Sequence, residues 1–338
     1  MAALSALLPT YLDFASREDT DGKITAIIEL CARTNEILQD CVPVEGNLPT
    51  GNKTTIRTGL PGTTWRLLNY GVQPSKSITA QVVDTCGMLE AYAQVDKALA
   101  DLNGNSAAWR LSEDAAFLEA MNIAMATAMI YGDQMANPEQ FTGFMPRYPQ
   151  FRNVVINPAI SAYNCLNNLG AGVATETSIY LAVWGPNTVH AIYPKGSAAG
   201  FSHEDLGRVT LTDSATPAGL FEGYRTHYKW DIGLCVRDWH YVVRICNIDS
   251  ATISAGVQTV VDNMIRAYYC VPNIQAGNAC WYMNNLVLWS MVLQARATPN
   301  MMLTWEDWGG KAKIPTFMGI PIRRVDSIVN TEAVVLTS

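Results

Sequence analysis

The chain has 338 residues, 49% of them hydrophobic and 16% charged, with a formal net charge of −7. That length suits two or three compact units, and the apolar content can fill a sizeable core, which excludes global disorder. The acidic balance lacks the positive excess that sequence-independent phosphate binding uses, and no apolar run approaches the ~18 residues of a spanning helix, so neither nucleic acid nor a bilayer is the expected main partner.

The N-terminal stretch MAALSALLPTYLDFASRED has no basic flank and no small-residue cleavage site, and it reads as a mobile arm of a cytoplasmic protein. Asp21 to Gln39 then spaces Ile24, Ile27, Ile28, Cys31 and Ile37 along a helical stripe, ended by the prolines and glycine of residues 40–50. The next stretch is unusual in its charge. From Gly46 to Val83 there are four basic residues, Lys53, Arg57, Arg66 and Lys76, and no carboxylate. KTTIRT alternates, LPG turns, TTWRLL resumes, NYG turns again and SITAQVV alternates once more, which makes a long β-hairpin. One face carries too few large apolar groups to anchor a compact core, and an isolated hairpin is marginal in water, so it must lean on something else.

Met88 to Leu102 has helical composition. Ser112 is placed as an N-cap, with Glu113 and Asp114 in the first turn, for a helix to Tyr131 that Gly132 stops. Leu111, Ala115, Leu118, Met121, Met125 and Met129 recur at helical steps, and Phe117, Ala124 and Ala128 widen the apolar arc, so burial on more than one side is expected. TSIYLAVWG, TVHAIYPKG and a pair within GYRTHYKWDIGLCVRDWHYVVRICNI read as strands, VQTVVDNMIRAYYC and NACWYMNNLVLWSMVLQA as helices, and TFMGIPIRRVDSIV as a closing strand. Trp305-Glu306-Asp307-Trp308 reads as a turn with two packing tryptophans. Runs of helices and antiparallel strands without regular alternation indicate an α+β class.

A search for chemistry returns little. The eight cysteines contain no CxxC and read as reduced packing residues, and the four histidines lack helical metal-site spacing. NLGAGVAT has no hydrophobic strand feeding it and reads as a turn, and neither a Walker loop nor a nucleophile elbow is present. No catalytic, cofactor or metal residue is assigned. The remaining signal is electrostatic. Residues 84–119 hold seven carboxylates against Lys97 and Arg110, a balance of −5, directly after the stretch at +4. Two such surfaces can meet inside one chain, or between identical subunits in a heterologous contact that closes into rings and shells.

GNKTTIRTGLPGTTWRLLNYGVQPSKS, DTCGMLEAYAQVDKALADLNG and RLSEDAAFLEAMN, with TSIYLAVWGPNTVHAIYPKG, THYKWDIGLCVRDWHYVVRICNID and FMGIPIRRVDSI, resemble the major capsid proteins of short-tailed, podovirus-type bacteriophages from about Thr10 onward. The resemblance implies a Hong Kong 97-like fold. It places an N-terminal arm at 1–45, an extended loop at 46–86, a peripheral domain at 87–250 with a spine helix at 112–131, and an axial domain at 251–338. Strands within 136–250 suit either domain, and that segment leaves room for an insertion. It further implies self-assembly through hexamers and pentamers into an icosahedral virion shell around double-stranded DNA, assembled in the host cytoplasm. Scaffolding, decoration or cement proteins and a portal are the further partners it brings. Lys53, Arg57, Arg66 and Lys76, with Trp65 and Tyr70 as anchors, are then expected to face Glu113, Asp114 and Glu119 of the next subunit. The matching Asn and buried Glu of the Lys–Asn cross-link found in some relatives are not identified here. The alternatives are a cytoplasmic α+β enzyme, which would need a convergent pocket, and a minor virion component such as a decoration protein.

Overall fold

A computed structural model describes residues 34–101, 106–151, 161–169, 175–197, 200–212, 219–256, 259–297, 303–308 and 312–336. The strands are β1 (Pro43–Glu45), β2 (Gly51–Gly59), β3 (Ile78–Asp96), β4 (Cys165–Asn167), β5 (Glu176–Trp184), β6 (Val189–Tyr193) and β7 (Phe201–Thr212), then β8 (Leu220–Val236), β9 (Val242–Asp249), β10 (Asn278–Met283), β11 (Leu303–Trp308), β12 (Ala312–Phe317) and β13 (Ile320–Arg324). The helices are α1 (Ile37–Asp40), α2 (Lys97–Ala100), α3 (Ser106–Tyr131), α4 (Phe144–Arg147), α5 (Ser250–Ser254), α6 (Val261–Cys270) and α7 (Asn285–Ala297). Two compact units result. The smaller contains Met88–Met125 and Gly200–Asp231, and the larger Thr34–Gly87, Ala126–Ala199 and Ile232–Ser338. This partition cuts across the linear segments expected from the sequence, because β3, β8 and α3 are each long enough to supply residues to both units.

In the larger unit β5 is buried at all nine positions, between β10 and β9 or β6, which is why TSIYLAVW reads as a continuous apolar run. Ile179, Leu181 and Val183 of β5 pack with Val243 and Ile245 of β9, Met264 and Ala267 of α6, and Val287 and Met291 of α7. The same strand also meets a buried polar network. Arg244 is fully buried and donates to Glu332 Oε2 at 2.9 Å, Ser178 Oγ at 3.1 Å and the Tyr148 carbonyl at 2.9 Å, and its guanidinium lies 5.9 Å from the Tyr180 ring centroid. Glu332 also accepts from Tyr131 Oη at 2.6 Å and Ser178 Oγ at 2.5 Å. With Asn247 exchanging two hydrogen bonds with the Val335 backbone, this network ties the C-terminal segment to the core. Segment 34–41 is held in a comparable way: Asp40 accepts from Tyr282 Oη and Arg323, and Tyr282 Oη accepts from Trp184 Nε1 at 2.6 Å.

The smaller unit is a two-layer sandwich. Leu89, Ala91 and Ala93 of β3 and Tyr228 and Trp230 of β8 pack against Phe117 and Met121 of α3. β7 extends the sheet by antiparallel pairing with β8, from Phe201 opposite Trp230 to Thr212 opposite Leu220.

Several expectations are corrected. Residues 88–96 are strand, not helix. Glu90 and Tyr92 are more exposed than Ala93 and Val95, a period of two set by pairing with β8, and this tertiary partner overrides the helix propensity of Leu, Glu, Ala and Gln. The long helix starts at Ser106, so Ser112 is internal to it and is not its N-cap. It ends at Tyr131 as expected, yet Gly132 serves by close approach: a Cβ there would lie 2.5 Å from the Ala128 and Phe141 carbonyl oxygens. The helix is not buried on more than one side in its first half, where Leu111, Ala115, Ala116, Leu118 and Ala120 are exposed. Residues 278–283 form the buried strand β10 rather than the start of a helix, since a short all-apolar run fits either state until its neighbours are known. Residues 303–308 form β11, paired with β12, rather than a turn. Most of the expected helix at 21–39 and most of the NLGAGVAT turn lie outside the described residues.

Arg244→Met, which leaves Glu332 buried without its cation, is expected to lower the unfolding free energy of the unassembled protein by about 3–5 kcal/mol. Urea denaturation followed by tryptophan fluorescence measures it.

Candidate subunit interface

β2 and the first half of β3 form the expected hairpin, in antiparallel register from Gly51 opposite Thr85 to Arg57 opposite Thr79, with a bulge before Gly59. The ladder stops there. Residues 60–77 are not strand, so TTWRLL does not resume the pairing: Pro61 lacks an N–H, and no strand among the described residues pairs with this segment. A turn at Leu67–Tyr70, with Asn69 at φ 70°, and a bond from Ser75 Oγ to the Gly62 carbonyl at 2.8 Å shape the tip.

The root, by contrast, is tightly held. Asp84 is buried and accepts from Arg147 Nη2 at 2.8 Å, while the same guanidinium donates to the Leu234 and Thr142 carbonyls. Asn52 Nδ2 donates to Thr54 Oγ1 and Cys235 Sγ, and Asn47 brackets the Lys53 backbone with two bonds of 2.7 Å. Gly51 is required by close approach, since a Cβ would lie 2.1 Å from the Asp84 carbonyl oxygen.

Beyond this root the tip offers its side chains to solvent. Trp65 is fully exposed, and Leu60, Leu67, Leu68, Tyr70 and Val72 are more than half exposed. Lys53, Arg57, Arg66 and Lys76 are all exposed and form no ion pair among the described residues. Arg57 also lines an open groove of about 420 Å³ with Ile56, Thr58, Arg237, Trp239 and His240. The structure therefore joins the six expected hairpin residues into one apolar and cationic arm. Sequence reading missed Leu60, Leu67, Leu68 and Val72; the available signal was six large apolar side chains in a segment broken by two prolines and two glycines, which no local core can absorb.

The three expected carboxylates sit on α3, in the smaller unit. Glu113, Asp114 and Glu119 are half-buried rather than free. Asp114 is hydrogen-bonded by Tyr228, and burial raises its pKa above the ordinary aspartate value against that bond. Glu113 and Glu119 are likewise engaged within the chain. Nearby, Arg110 donates to Asp205 at 2.6 Å and lies 5.2 Å from the Tyr224 ring centroid. What α3 does present freely is an apolar face that sequence reading assigned to the core: Leu111, Ala115 and Leu118.

No group of three or more His, Cys, Asp or Glu among the described residues could hold a metal ion, and no helix among them is long and apolar enough to cross a membrane.

The family described as "Major capsid protein GP7" matches residues 19–336. A chain from the cryo-EM structure of bacteriophage Epsilon15 is 38% identical, with a TM-score of 0.78 and 99% of each chain covered. Two more distant similarities are a capsid chain of the native GTA particle, at 14% identity, TM-score 0.41 and coverage of 66% and 94%, and the bacteriophage JBD30 capsid, at 10%, 0.42 and coverage of 88% and 92%. No curated protein sequence matches the chain. An exposed arm on a rigid root, a family match over nearly the whole length and a phage relative alike from end to end lead to one conclusion: the chain belongs to the major capsid protein GP7 family, an α+β protein of the Hong Kong 97-like phage capsid fold that forms the capsid shell of a virion.

Proposed function

We propose that the chain assembles through hexamers and pentamers into an icosahedral shell enclosing double-stranded DNA, and that the β2–β3 hairpin is the extended loop that grips the next subunit. The observation that carries this reading is the tip itself: seventeen consecutive exposed residues, 60–76, with six large apolar side chains and two cations. An aromatic side chain of this size buries about 150–250 Å² when it finds a partner, and at about 25 cal/mol per Å² Trp65 alone can contribute several kcal/mol to association. The cations act at the rim, about 0.2–1 kcal/mol per pair, and set register and partner choice more than strength.

On the receiving subunit the complementary surface is the first half of α3. Leu111 and Leu118 supply the apolar contact, and Glu113, Asp114 and Glu119 the acidic field. In this assignment α3 is the spine helix of the peripheral domain, the segment before residue 46 the N-terminal arm, and α6, α7 and β10–β13 belong to the axial domain. Scaffolding, decoration or cement proteins and a portal are the further partners such a shell takes. Its acidic net charge suits weak, sequence-independent contact with a genome that must later leave. The role is structural, and no residue is assigned a catalytic step.

Expression of the protein alone, followed by light scattering and negative-stain microscopy of the same fraction, tests assembly. Rings, shells or tubes of megadalton mass are expected, and a 37 kDa monomer that persists at high concentration with phage scaffold added would overturn the proposal. The Arg57→Glu, Arg66→Glu double variant is expected to abolish shells, and normal particles from it would remove the electrostatic part of the contact. Trp65→Ala is expected to weaken assembly while changing the unassembled protein's stability by no more than about 0.5 kcal/mol, since the ring is fully exposed among the described residues. A large loss of subunit stability in that variant would show that the tip packs intramolecularly.

A further inference from the structure

A row of buried polar side chains crosses the four strands beneath the hairpin root. The strands run β6, β8, β3, β2. His190 of β6 is registered opposite Cys235 of β8, Cys235 accepts from Asn52 of β2 at 3.4 Å, and Asn52 is registered opposite Asp84 of β3. His190 is fully buried, and neither ring nitrogen makes a well-formed hydrogen bond among the described protein groups, with the Gly185 backbone the group in weak reach; Asp84 Oδ2 has no partner among them. The root around it has little slack. A Cβ on Gly233, two residues before Cys235, would lie 2.4 Å from the Thr85 carbonyl oxygen, and one on Gly51 would lie 2.1 Å from that of Asp84.

An imidazole in this position can be tolerated only while neutral. A ring that gains a second N–H must place a full charge in a buried site where the Gly185 backbone and the Asp84 carboxylate, already bound to Arg147, do not offset the lost hydration, and the way to solvate it is to open the strands above. We propose that His190 is a proton-sensitive latch for the hairpin root: the neutral ring keeps β2 and β3 seated on β8 and β6, and the imidazolium releases them. The consequence for a shell, a contact arm that loosens in acid, rests on the function proposed above; the latch itself does not.

The charged groups facing the ring fix the direction. Burial, the largest cause, and the Arg237 guanidinium oppose the imidazolium, Asp84 and the Gly185 backbone favour it, and the balance holds the His190 pKa down at about 4. Asp84 is already committed to Arg147, and burial raises the pKa of the Cys235 thiol, so that group stays neutral throughout the range. An opened root exposes an imidazole with the ordinary value near 6.5, so protons bind the open form better. The closed root therefore has its full stability above pH 6.5, loses it steadily as pH falls towards 4, and loses no more below that.

Hydrogen–deuterium exchange of the full-length unassembled protein between pH 7.5 and 5.0, corrected for the intrinsic exchange rate, reads the latch without requiring assembly. Protection of peptides covering 51–59 and 78–86 is expected to fall about tenfold per pH unit below 6.5, or about 30-fold by pH 5.0, while β5 and β10 hold theirs. In His190→Leu the same peptides are expected to show no such pH dependence. An unchanged fall in that variant, or flat protection in the natural chain, overturns the proposal. If His190→Leu does not fold, a carbon-13 histidine NMR titration of the natural chain decides: a ring titrating below pH 5 supports the latch, and the absence of one overturns it. Loss of the contact arm's function with the latch intact, or the reverse, keeps the two proposals separable.

Discussion

A β-hairpin that outruns its own chain's core is the constraint on which this structure depends. Its ladder ends at the bulge before Gly59, and the next eighteen residues place Trp65, Tyr70 and four aliphatic side chains in water. Apolar surface on this scale is unfavourable in a free monomer and becomes favourable only against a partner. Such an arm can transmit binding energy only if its base resists bending. Arg147 links Asp84 of β3 to the Leu234 carbonyl of β8, Asn52 links β2 to Cys235, and the backbone contacts at Gly51 and Gly233 admit no side chain.

The larger unit pairs a conventional apolar core with an unusually polar interior. Around β5 one set of side chains joins the aliphatic cluster of α6 and α7, while Arg244, Glu332, Ser178 and Tyr131 form a closed hydrogen-bonded group. Buried ion pairs of this kind rarely exceed a well-packed apolar substitute in net stability, but they are intolerant of misplacement. Glu332 lies only a few residues from the end of the described chain, so the network, together with buried Val325, Ile328 and Val335, fixes the path of that segment.

The self-association reading needs two complementary surfaces, and the two differ in character. The hairpin is cationic and apolar at once, with its cations free of ion pairs among the described residues. On α3 the carboxylates are partly spent on Tyr228 and other groups of the same chain, and the freely exposed feature is the Leu111 and Leu118 face. The proposed contact would take its strength from apolar burial, with charge deciding which surfaces meet.

Much of this was legible in the sequence. Alternation in KTTIRT and SITAQVV gave the hairpin, the carboxylate-free run from Gly46 to Val83 gave its charge, helical spacing gave the body and end of α3, and long matching blocks gave the family. These features are local in sequence or depend on composition, so no partner strand is needed to see them. Residues 88–96 and 278–283 were misread because LEAYAQVD and NACWYM satisfy either period until β8, β5 and β13 lie beside them. The exposure of Leu111 and Leu118, the half-burial of Glu113, Asp114 and Glu119, and the burial of His190 likewise depend on which face of an element the rest of the chain covers. The sequence by itself determined that the protein carries a cationic, apolar hairpin too thin for a core of its own; only the tertiary structure decided where that hairpin is rooted and which side chains of the described residues stay exposed, because burial is a property of long-range contacts that no local pattern encodes.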